Sequence, residues 1–248
     1  MGVRRGVLID MAGRSAYSSI LLKLSGEILA GERGWGYSSQ SLFAIVDVIA
    51  KLWKSGNRIG IVVGGGNFWR GRMRGEIGVS RVVADEVGML ATVMNALVLY
   101  DKLLQLGVKA RVVGAMDFGK FAPSLAPDKA AQLYREGEVI IFAGGTSNPF
   151  FTTDTAAVLR AAEVGAEVIL KGTKVDGVYD KDPVKYPDAK RYSSISVEEL
   201  LEKRLGIIDM TAASLLRDVG LKMIVFNIGL PENLVKIVSG EDVGTLIY

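Results

Sequence analysis

The sequence predicts an α/β protein, a three-layer αβα sandwich built around a mostly parallel central sheet. Short apolar runs alternate along the chain with stretches whose apolar residues recur at helical spacing. Several of these runs end in glycine, as strands do where the chain turns towards a helix. No internal repeat or low-complexity linker interrupts the alternation. Because parallel strands need crossover connections, the pattern predicts helices on both faces of one sheet.

In the first half of the chain, aliphatic runs predict strands and apolar periodicity predicts helices. The helix of residues 42–53 carries apolar residues on one face and ends at Gly56. A longer helical pattern covers residues 81–106, and a shorter one covers residues 127–135. The strands predicted between these helices cover residues 20–24, 58–63, 110–113 and 138–142.

In the second half, an alanine-rich helix that begins near residue 153 and runs through residues 156–163 is followed by a strand. Ser196 with Glu199 forms a capping box that starts a short helix. A polar stretch punctuated by proline precedes it at residues 176–194. The other predicted elements are strands at residues 167–170 and 222–227, helices at 209–219 and 231–238, and a final edge strand at 245–247.

Histidine and cysteine are both absent from the 248 residues. Their absence excludes Ser-His-Asp and Cys-His catalysis, zinc sites with His or Cys ligands, and a disulfide framework. Lys, Arg, Asp, Glu, hydroxyls, backbone amides and an oxygen-ligated ion such as Mg²⁺ remain. Phosphoryl transfer fits this inventory because it depends on positioning and charge neutralisation. The net charge of +3 is compatible with nucleic acid and equally with small anions.

Residues 1–18 predict a flexible or loosely attached N-terminal extension ahead of a single domain at residues 19–248. The extension contains Arg4, Arg5 and Arg14, and its short apolar piece is interrupted at Asp10. It contains no signal-peptide core, which favours a cytoplasmic protein. No apolar run approaches the roughly 20 residues that a membrane helix needs, so no membrane partner is expected.

The most informative motif covers residues 145–157, with the sequence Gly-Thr-Ser-Asn-Pro-Phe-Phe-Thr-Thr-Asp-Thr-Ala-Ala. It joins a predicted strand to a predicted helix, whose first N–H groups would attract phosphate. Hydroxyls accompany them, those of Thr146, Ser147, Thr152 and Thr153. The same residues also fit a polar loop in which Thr153 or Asp154 is only the N-cap.

Two further strand ends carry residues suited to phosphate. Lys23 ends the first strand beside a glycine turn, where it would reach phosphate or remain a solvated lysine. The glycine run 64–66 follows the second strand and would let the backbone approach a ligand closely, or form a flexible turn. It matches neither the Walker A loop nor the dinucleotide-binding fingerprint.

Other charged residues leave two interpretations open. Asp85 would accept hydrogen bonds from ligand hydroxyls, or only complement the dipole of its helix. Residues 171–179 follow a strand with two lysines, and would bind a nucleotide or form an exposed turn. Arg70, Arg72 and Arg74 would form an RNA-binding patch or a charged turn. Ligands gather at the carboxyl ends of parallel strands, so these strand ends are candidates for one crevice.

Five motifs, in order, carry a resemblance to a known family. They are Lys23-Leu24-Ser25-Gly26-Glu27, the glycine run with Asn67-Phe68-Trp69-Arg70-Gly71, Asp85 with Gly88-Met89-Leu90, residues 148–154, and Lys174-Val175-Asp176-Gly177-Val178. From about residue 20 to residue 248 the chain resembles the bacterial uridylate kinases (UMP kinases) of the amino acid kinase superfamily. The resemblance implies transfer of the γ-phosphoryl group of ATP to UMP, giving UDP and ADP in pyrimidine nucleotide biosynthesis, with Mg²⁺ required. It also implies an amino acid kinase-like domain with a UMP-binding lobe at residues 19–165 and an ATP-binding lobe at 166–248.

The resemblance assigns roles to residues at matching positions. Lys23, Arg70 and Asp154 would be catalytic, with Asp154 ordering the lysine. The implied ATP-binding residues are Lys23, Leu24, Ser25, Gly26, Gly66, Arg70, Thr173, Tyr179 and Asp182. The implied UMP-binding residues are Gly65, Asp85, Thr146, Ser147, Asn148, Pro149, Phe150, Phe151, Thr152 and Thr153.

The resemblance also implies a homohexamer built from dimers, activated by GTP and inhibited by UTP, with nucleic acid not expected as a partner. The segment Gly31, Glu32, Arg33, Gly34, Trp35 and Gly36 loosely matches the one associated with GTP activation. Two residues depart modestly from the pattern of the family: Ser147 stands where glycine is common, and Glu86 stands where a different polar residue is usual. The alternatives are another phosphotransferase of the superfamily, acting on a carboxylate or carbamate, and a non-catalytic metal-storage or nucleotide-binding relative.

Overall fold

The computed structural model describes residues 15–71 and 73–248. Arg72 and residues 1–14, which include most of the predicted extension, lie outside the described residues. In chain order the elements are β1 (Ser19–Leu24), α1 (Gly26–Ala30), a 3₁₀ turn (Gly31–Arg33), α2 (Ser39–Lys54), β2 (Arg58–Val63), α3 (Met73–Ile77), α4 (Arg81–Gln105), β3 (Ala110–Gly114), α5 (Pro127–Arg135), β4 (Val139–Ala143), α6 (Thr153–Val164), β5 (Val168–Thr173), β6 (Ser194–Ile195), α7 (Val197–Glu202), α8 (Met210–Val219), β7 (Lys222–Asn227), α9 (Glu232–Val238) and β8 (Thr245–Ile247).

The strands form one eight-stranded sheet in the order β3-β4-β2-β1-β5-β7-β8-β6. The strands from β3 to β7 in this order are mutually parallel, and β8 runs antiparallel to β7. The pairing of β1 with β5 joins the strands of the two lobes predicted from the sequence. The same pairing brings the carboxyl ends of β1 and β5 side by side.

The prediction that residues 245–247 form an edge strand is wrong. β8 lies between β7 and β6, because Ser194 and Ile195 pair with its outer side. This two-residue strand was not predicted, since it is too short to show an alternating pattern within a polar, proline-containing stretch. The helices α1 and α3 were also not predicted, because five residues are too few to show helical periodicity.

Two apolar cores lie on opposite faces of the sheet and confirm the three-layer sandwich. In one core Leu22 and Leu24 of β1 pack with buried residues of α2, α4 and α9. In the other Leu21 packs with buried residues of α5, α6 and α8. Because side chains alternate along a strand, Lys23 shares the face of Leu21 and points towards the layer that contains α6.

Helix α4 is long and apolar enough, by length and composition, to cross a membrane. The expectation that no apolar stretch approaches the length of a membrane span is therefore wrong for Arg81–Gln105. A core helix of an α/β protein meets the same criteria, and α4 packs against β3, β4 and α2. Polar residues are spread along α4, so each uninterrupted apolar run in it is short although the helix as a whole is long and apolar. The sequence analysis considered only such uninterrupted runs.

Side-chain caps explain where several helices begin. Ser38, Ser80, Ser196 and Asp209 each accept a hydrogen bond from the backbone N–H three residues further on, at the starts of α2, α4, α7 and α8. These bonds satisfy N–H groups that the first helical turn leaves without partners. The predicted cap at Ser196 is confirmed, but Glu199 does not complete the capping box, because its carboxylate pairs with Lys203 Nζ at 2.6 Å.

Tyr134 of α5 ties the helical layer to the central strands. Its side chain is fully buried, and its hydroxyl lies 2.9 Å from Ser19 Oγ, 3.0 Å from Ile20 O and 3.2 Å from Arg58 O. Burial raises the pKa of the Tyr134 phenol to about 12. The hydroxyl is therefore neutral at physiological pH and bonds to the amino-terminal ends of both β1 and β2.

We expect Tyr134→Phe to lower the free energy of unfolding by about 1–3 kcal/mol, because buried polar groups of the two strands lose a partner. Urea unfolding at neutral pH measures this loss. Tyr248→Phe is the control, since Tyr248 is 57% exposed, and its effect should stay within about 0.5 kcal/mol. Equal losses in both variants would contradict the role assigned to the Tyr134 hydroxyl.

Candidate active site

The carboxyl ends of β1, β2, β4 and β5 meet at one edge of the sheet, as the parallel registers require. The start of α1 is in direct contact with the loop that follows β2. A Cβ atom added to Gly26, the first residue of α1, would lie 2.4 Å from Gly64 O, so no side chain fits between the helix start and this loop. The predicted gathering of glycine-bearing strand ends is confirmed, with Gly172 lying inside β5 and not after it.

A lysine–carboxylate–lysine centre lies at this edge. The sheet register pairs Lys23 of β1 with Lys171 of β5, so their side chains leave the same face of neighbouring strands. Asp154, in the first turn of α6, lies over both. Its Oδ1 is 2.7 Å from Lys23 Nζ, and its Oδ2 accepts a hydrogen bond from Lys171 Nζ. The three side chains are only 7–13% exposed.

Burial and charge act in opposite directions on this centre. Burial works to raise the pKa of Asp154, but the charges of Lys23 and Lys171 hold it below its usual value. For Lys171, burial is the main cause of a pKa below the usual 10.5, although Asp154 opposes the shift. The carboxylate is therefore ionised at neutral pH, and the charge of Lys171 depends on it.

Lys171 lies inside β5 and not in the turn predicted to follow that strand. The sequence placed it in a turn after the strand, but β5 continues to Thr173 and Lys171 is 5% exposed. Its Nζ also donates a hydrogen bond of 2.6 Å to Ile207 O. The description of Lys171 as part of an exposed turn is wrong, and its place in the charged centre was missed. Strand alternation from Ile169 to Lys171 was the available signal, because it places both on one face.

A cavity of about 530 Å³ lies beside this centre, between α4 and the loops that follow β2 and β4. Seven of the residues assigned to UMP by resemblance line it, namely Gly65, Asp85, Thr146, Asn148, Phe151, Thr152 and Thr153. Ser147, Pro149 and Phe150 are not among its lining residues, and the Phe150 side chain is 63% exposed. We call this cavity the acceptor cavity.

Thr152 combines two roles that the sequence had treated as alternatives. It is the N-cap of α6, since its Oγ1 accepts hydrogen bonds from the N–H groups of Asp154 and Thr155 at 3.0 and 3.4 Å. The predicted cap at Thr153 or Asp154 is therefore wrong by one or two positions. Thr152 also lines the acceptor cavity and donates a hydrogen bond to Asp209. The cap thus fixes the start of α6 and the position of Asp154.

Asp85 connects α4 to the loop that begins α6. Its carboxylate pairs with Arg81 Nε at 2.9 and 3.1 Å and accepts a hydrogen bond of 2.8 Å from the N–H of Phe150. Arg81 also lines the acceptor cavity, as do Arg74 and Trp69, and the sequence analysis assigned none of the three to the UMP site. The four-residue spacing of Arg81 and Asp85 was the available signal for the first.

Arg70 faces the strand-end loops. Its guanidinium donates hydrogen bonds to Gly66 O at 3.1 Å and to Gly34 O at 2.9 Å, and lies 3.5 Å from a carboxylate oxygen of Glu27. Arg74 is exposed beside the acceptor cavity. These contacts hold the charged end of Arg70 against the strand-end loops, and Arg72, the middle residue of the predicted patch, lies outside the described residues.

Thr173, Tyr179 and Asp182, which the resemblance assigns to ATP, fall in two cavities. Tyr179 and Asp182 line one of about 530 Å³, together with Ile207. Thr173 lines another of about 670 Å³ with Gly31, Glu32 and Arg33 of the predicted activator segment. The other half of that segment contacts the loop after β2, where the Trp35 and Phe68 rings meet edge to face at 5.6 Å.

The fold and the site together define a protein that concentrates positive charge and backbone loops where parallel strands end, as phosphoryl transfer requires. Residues 18–227 match the model of the amino acid kinase family, and the chain belongs to this family. The solved structure of UMP kinase from Bacillus anthracis is similar to this chain at 36% identity and a TM-score of 0.90, over 93% of this chain and 96% of that one.

Two further solved structures are similar. UMP kinase from Ureaplasma parvum shows 33% identity and a TM-score of 0.87, covering 92% of this chain and 97% of its own. Uridylate kinase from Archaeoglobus fulgidus shows 29% identity and a TM-score of 0.73, covering 93% of this chain and 100% of its own. The likeness therefore extends over nearly the whole of each relative.

We expect Asp154→Asn to lower the free energy of unfolding by about 3–5 kcal/mol near pH 7, because two buried lysines lose their carboxylate. The loss should shrink as the pH rises towards 10.5. Without the carboxylate, the pKa of Lys171 in the folded protein falls further below its value of 10.5 in the unfolded chain. Between these two pKa values Lys171 is protonated only in the unfolded chain. Raising the pH removes that proton and therefore favours the folded state of the variant. Urea unfolding at several values from about pH 7 to pH 10 measures the trend.

Glu163→Gln is the matched control, because Glu163 forms a partly buried ion pair with Arg160 at 2.6 Å. An arginine keeps its charge throughout this pH range. The control's loss should therefore stay constant with pH. A constant loss for Asp154→Asn as well would show that Lys171 is not the group that titrates.

Proposed function

We propose that this chain is a uridylate kinase, transferring the γ-phosphoryl group of ATP to UMP to give UDP and ADP. One observation carries the proposal: the charged centre adjoins two nucleotide-sized cavities through neighbouring residues. Thr153, next to Asp154, lines the acceptor cavity. Ile207, whose carbonyl binds Lys171, lines the cavity of Tyr179 and Asp182. Two bound nucleotides would meet at the lysines.

On the acceptor side, UMP would occupy the cavity beside α4. Asp85 offers a carboxylate to the ribose hydroxyls, and the loop at residues 146–153 encloses the rest of the nucleotide. Arg74 and Arg81 line the same cavity and supply positive charge for the phosphate. The relatives named as UMP kinases, at 33–36% identity, support UMP as the acceptor.

On the donor side, ATP would extend from Tyr179 and Asp182 towards β1. Lys23, Leu24, Ser25 and Gly26 would contact its phosphates, with Gly66, Arg70 and Thr173 nearby. The contact between Gly26 and Gly64 supports this arrangement, because it brings the start of α1 against the loop that carries Gly65 and Gly66.

The mechanism follows from charge and position. A phosphate oxygen of UMP is already anionic, so attack on the γ-phosphorus requires no general base. Lys23 and Lys171 would spread the negative charge that develops on the transferred group, and Asp154 holds both lysines in place. Because the centre is nearly dry, the lysines are ordered before the nucleotides bind.

Mg²⁺ would arrive with ATP. Among residues 15–71 and 73–248, no group of three His, Cys, Asp or Glu is placed to hold a metal ion. Mg²⁺ commonly binds through substrate phosphates and water with few protein carboxylates, so this donor set fits a metal held mainly by the nucleotide. There it would neutralise charge on the phosphates of ATP.

We also propose a cytoplasmic homohexamer built from dimers, with GTP as activator and UTP as inhibitor. The outer side of α4 supports association, because Leu90 and Met94 are 54% and 47% exposed. Phe43 of the neighbouring α2 is 56% exposed. Large exposed apolar side chains on adjacent helices are typical of protein interfaces. The contact of Trp35 and Gly34 with the loop after β2 supports an effect of residues 31–36 on the site.

We expect ADP release with UMP as the acceptor to exceed that with CMP, AMP or carbamate. The expectation rests on a cavity that offers Asp85 and the loop at residues 146–153 to a pyrimidine nucleotide. A coupled ADP-release assay with each acceptor measures it, and UMP should also raise the melting temperature more than the others. Preference for carbamate would assign the chain to another phosphotransferase of its family.

We expect Lys23→Ala to reduce kcat on the order of 10²-fold or more, because one preorganised charge is lost from the transition state. Lys51→Ala is the control, since Lys51 is an exposed lysine paired with Asp47 and Glu232 on α2 and α9. Its kcat should remain within about twofold of the unmodified chain. Near-normal turnover in Lys23→Ala would remove Lys23 from the catalytic residues.

A further inference from the structure

A buried pair of amides lies beneath the loop that follows β2. Asn67 comes directly after the glycines of this loop, and Asn95 lies on the inner side of α4, with exposures of 1% and 0%. Asn95 Nδ2 donates to Asn67 Oδ1 at 2.7 Å, and Asn67 Nδ2 donates to Asn95 Oδ1 at 3.0 Å. Each side chain therefore satisfies the other in the protein interior.

The second donor of each amide binds a backbone carbonyl. Asn95 Nδ2 donates to Gly64 O at 2.7 Å, and Asn67 Nδ2 donates to Gly36 O at 2.9 Å. The N–H of Gly36 returns a hydrogen bond of 3.0 Å to Asn67 O. The pair thus attaches the loop after β2 to α4 on one side and to residues 31–36 on the other.

Two of the atoms in this network, Gly64 O and Asn67 Oδ1, also pack against Gly26 at the start of α1. A Cβ atom on Gly26 would lie 2.4 Å from Gly64 O and 2.5 Å from Asn67 Oδ1. The N–H of Gly64 in turn donates to Leu24 O at 2.8 Å. A displacement of Gly64 or Asn67 would therefore change the spacing between the start of α1 at Gly26 and the loop of Gly65 and Gly66.

Helix α4 holds the acceptor side in the same way. Thr92 Oγ1 accepts a hydrogen bond of 2.7 Å from the N–H of Gly144, and Asp85 binds the N–H of Phe150. Together with Asn95, these residues bond the loops after β2 and β4 to one rigid helix. Asn95 is the member that also reaches the wall against which Gly26 packs.

We propose that Asn95 and Asn67 are positioning residues for phosphoryl transfer. Their amide pair fixes the loop of Gly64, Gly65 and Gly66 at a set distance from Gly26 at the start of α1, so that acceptor and donor phosphates meet in line. This inference rests on the proposed kinase function. A loss of alignment of about 1 Å can cost on the order of 10²-fold in rate, whereas each nucleotide would keep most of its own contacts.

The test compares Asn95→Ala with Asn57→Ala. Asn57 is the matched control because it is also a buried amide, 5% exposed, but lies at the opposite end of β2. Its Nδ2 donates hydrogen bonds to Tyr17 O at 2.8 Å and to Ser15 Oγ at 3.2 Å. Both variants should lower the melting temperature. Only Asn95→Ala should lower kcat, on the order of 10-fold to 100-fold, with the KM values for ATP and UMP changed by less than about threefold.

Asn67→Ala and the double variant test whether the pair acts as a unit. Asn67→Ala should lower kcat as Asn95→Ala does, and the double variant should lose little more than either single variant. Asn95→Ser is the second variant if Asn95→Ala does not fold. Its shorter hydroxyl reaches fewer of these oxygens, so its kcat should fall between those of the unmodified chain and Asn67→Ala.

A kcat for Asn95→Ala within about twofold of the unmodified chain, or an equal loss in Asn57→Ala, would overturn the proposal. If the unmodified chain prefers an acceptor other than UMP, the proposed function fails and the same comparison is made with that acceptor. If no acceptor is phosphorylated, amide hydrogen exchange at residues 64–67 tests whether Asn95 positions this loop. Faster exchange in Asn95→Ala but not in Asn57→Ala supports positioning, and unchanged exchange contradicts it.

Discussion

The ion pairs of Asp154 with Lys23 and Lys171 are the interaction on which the site depends. Two like charges on adjacent strands repel each other, and burial adds a cost to each of them. One carboxylate between them offsets both effects, but only if α6 begins within reach of β1 and β5. The Thr152 cap, the loop at residues 145–152 and the Asp209 cap of α8 all serve to place that helix start.

The sheet supplies the other half of this geometry. Parallel pairing of β1 with β5 puts Lys23 opposite Lys171, and a shift of one residue would turn one lysine towards the opposite core. The register is held by the apolar residues that alternate with the lysines, including Leu22, Leu24 and Leu170 on the other face. Packing of aliphatic side chains thus determines where the charges lie. The same edge of the sheet receives the loops that contact Gly26.

Much of the fold was predictable because its elements are long and periodic. The bounds of β2, α5 and β7 agree with the prediction at both ends. The strand-end loops were predicted to converge, and they do. Lys171 was misplaced because a lysine at the end of an apolar run looks like the start of a turn. The edge strand β6 and the short helices α1 and α3 are too brief to show a period, so tertiary contacts alone define them.

The sequence by itself determined the fold class, the exclusion of histidine and cysteine chemistry, the family resemblance and seven of the sixteen residues that line the acceptor cavity. Only the tertiary structure decided that Lys171 joins Lys23 at Asp154 and that Thr152 is the cap. It also decided that Asn67 and Asn95, far apart in the chain, exchange hydrogen bonds in the interior. The physical reason is that local patterns report which face a side chain takes. Its partners across the sheet depend on register and helix position, which packing of the whole chain sets.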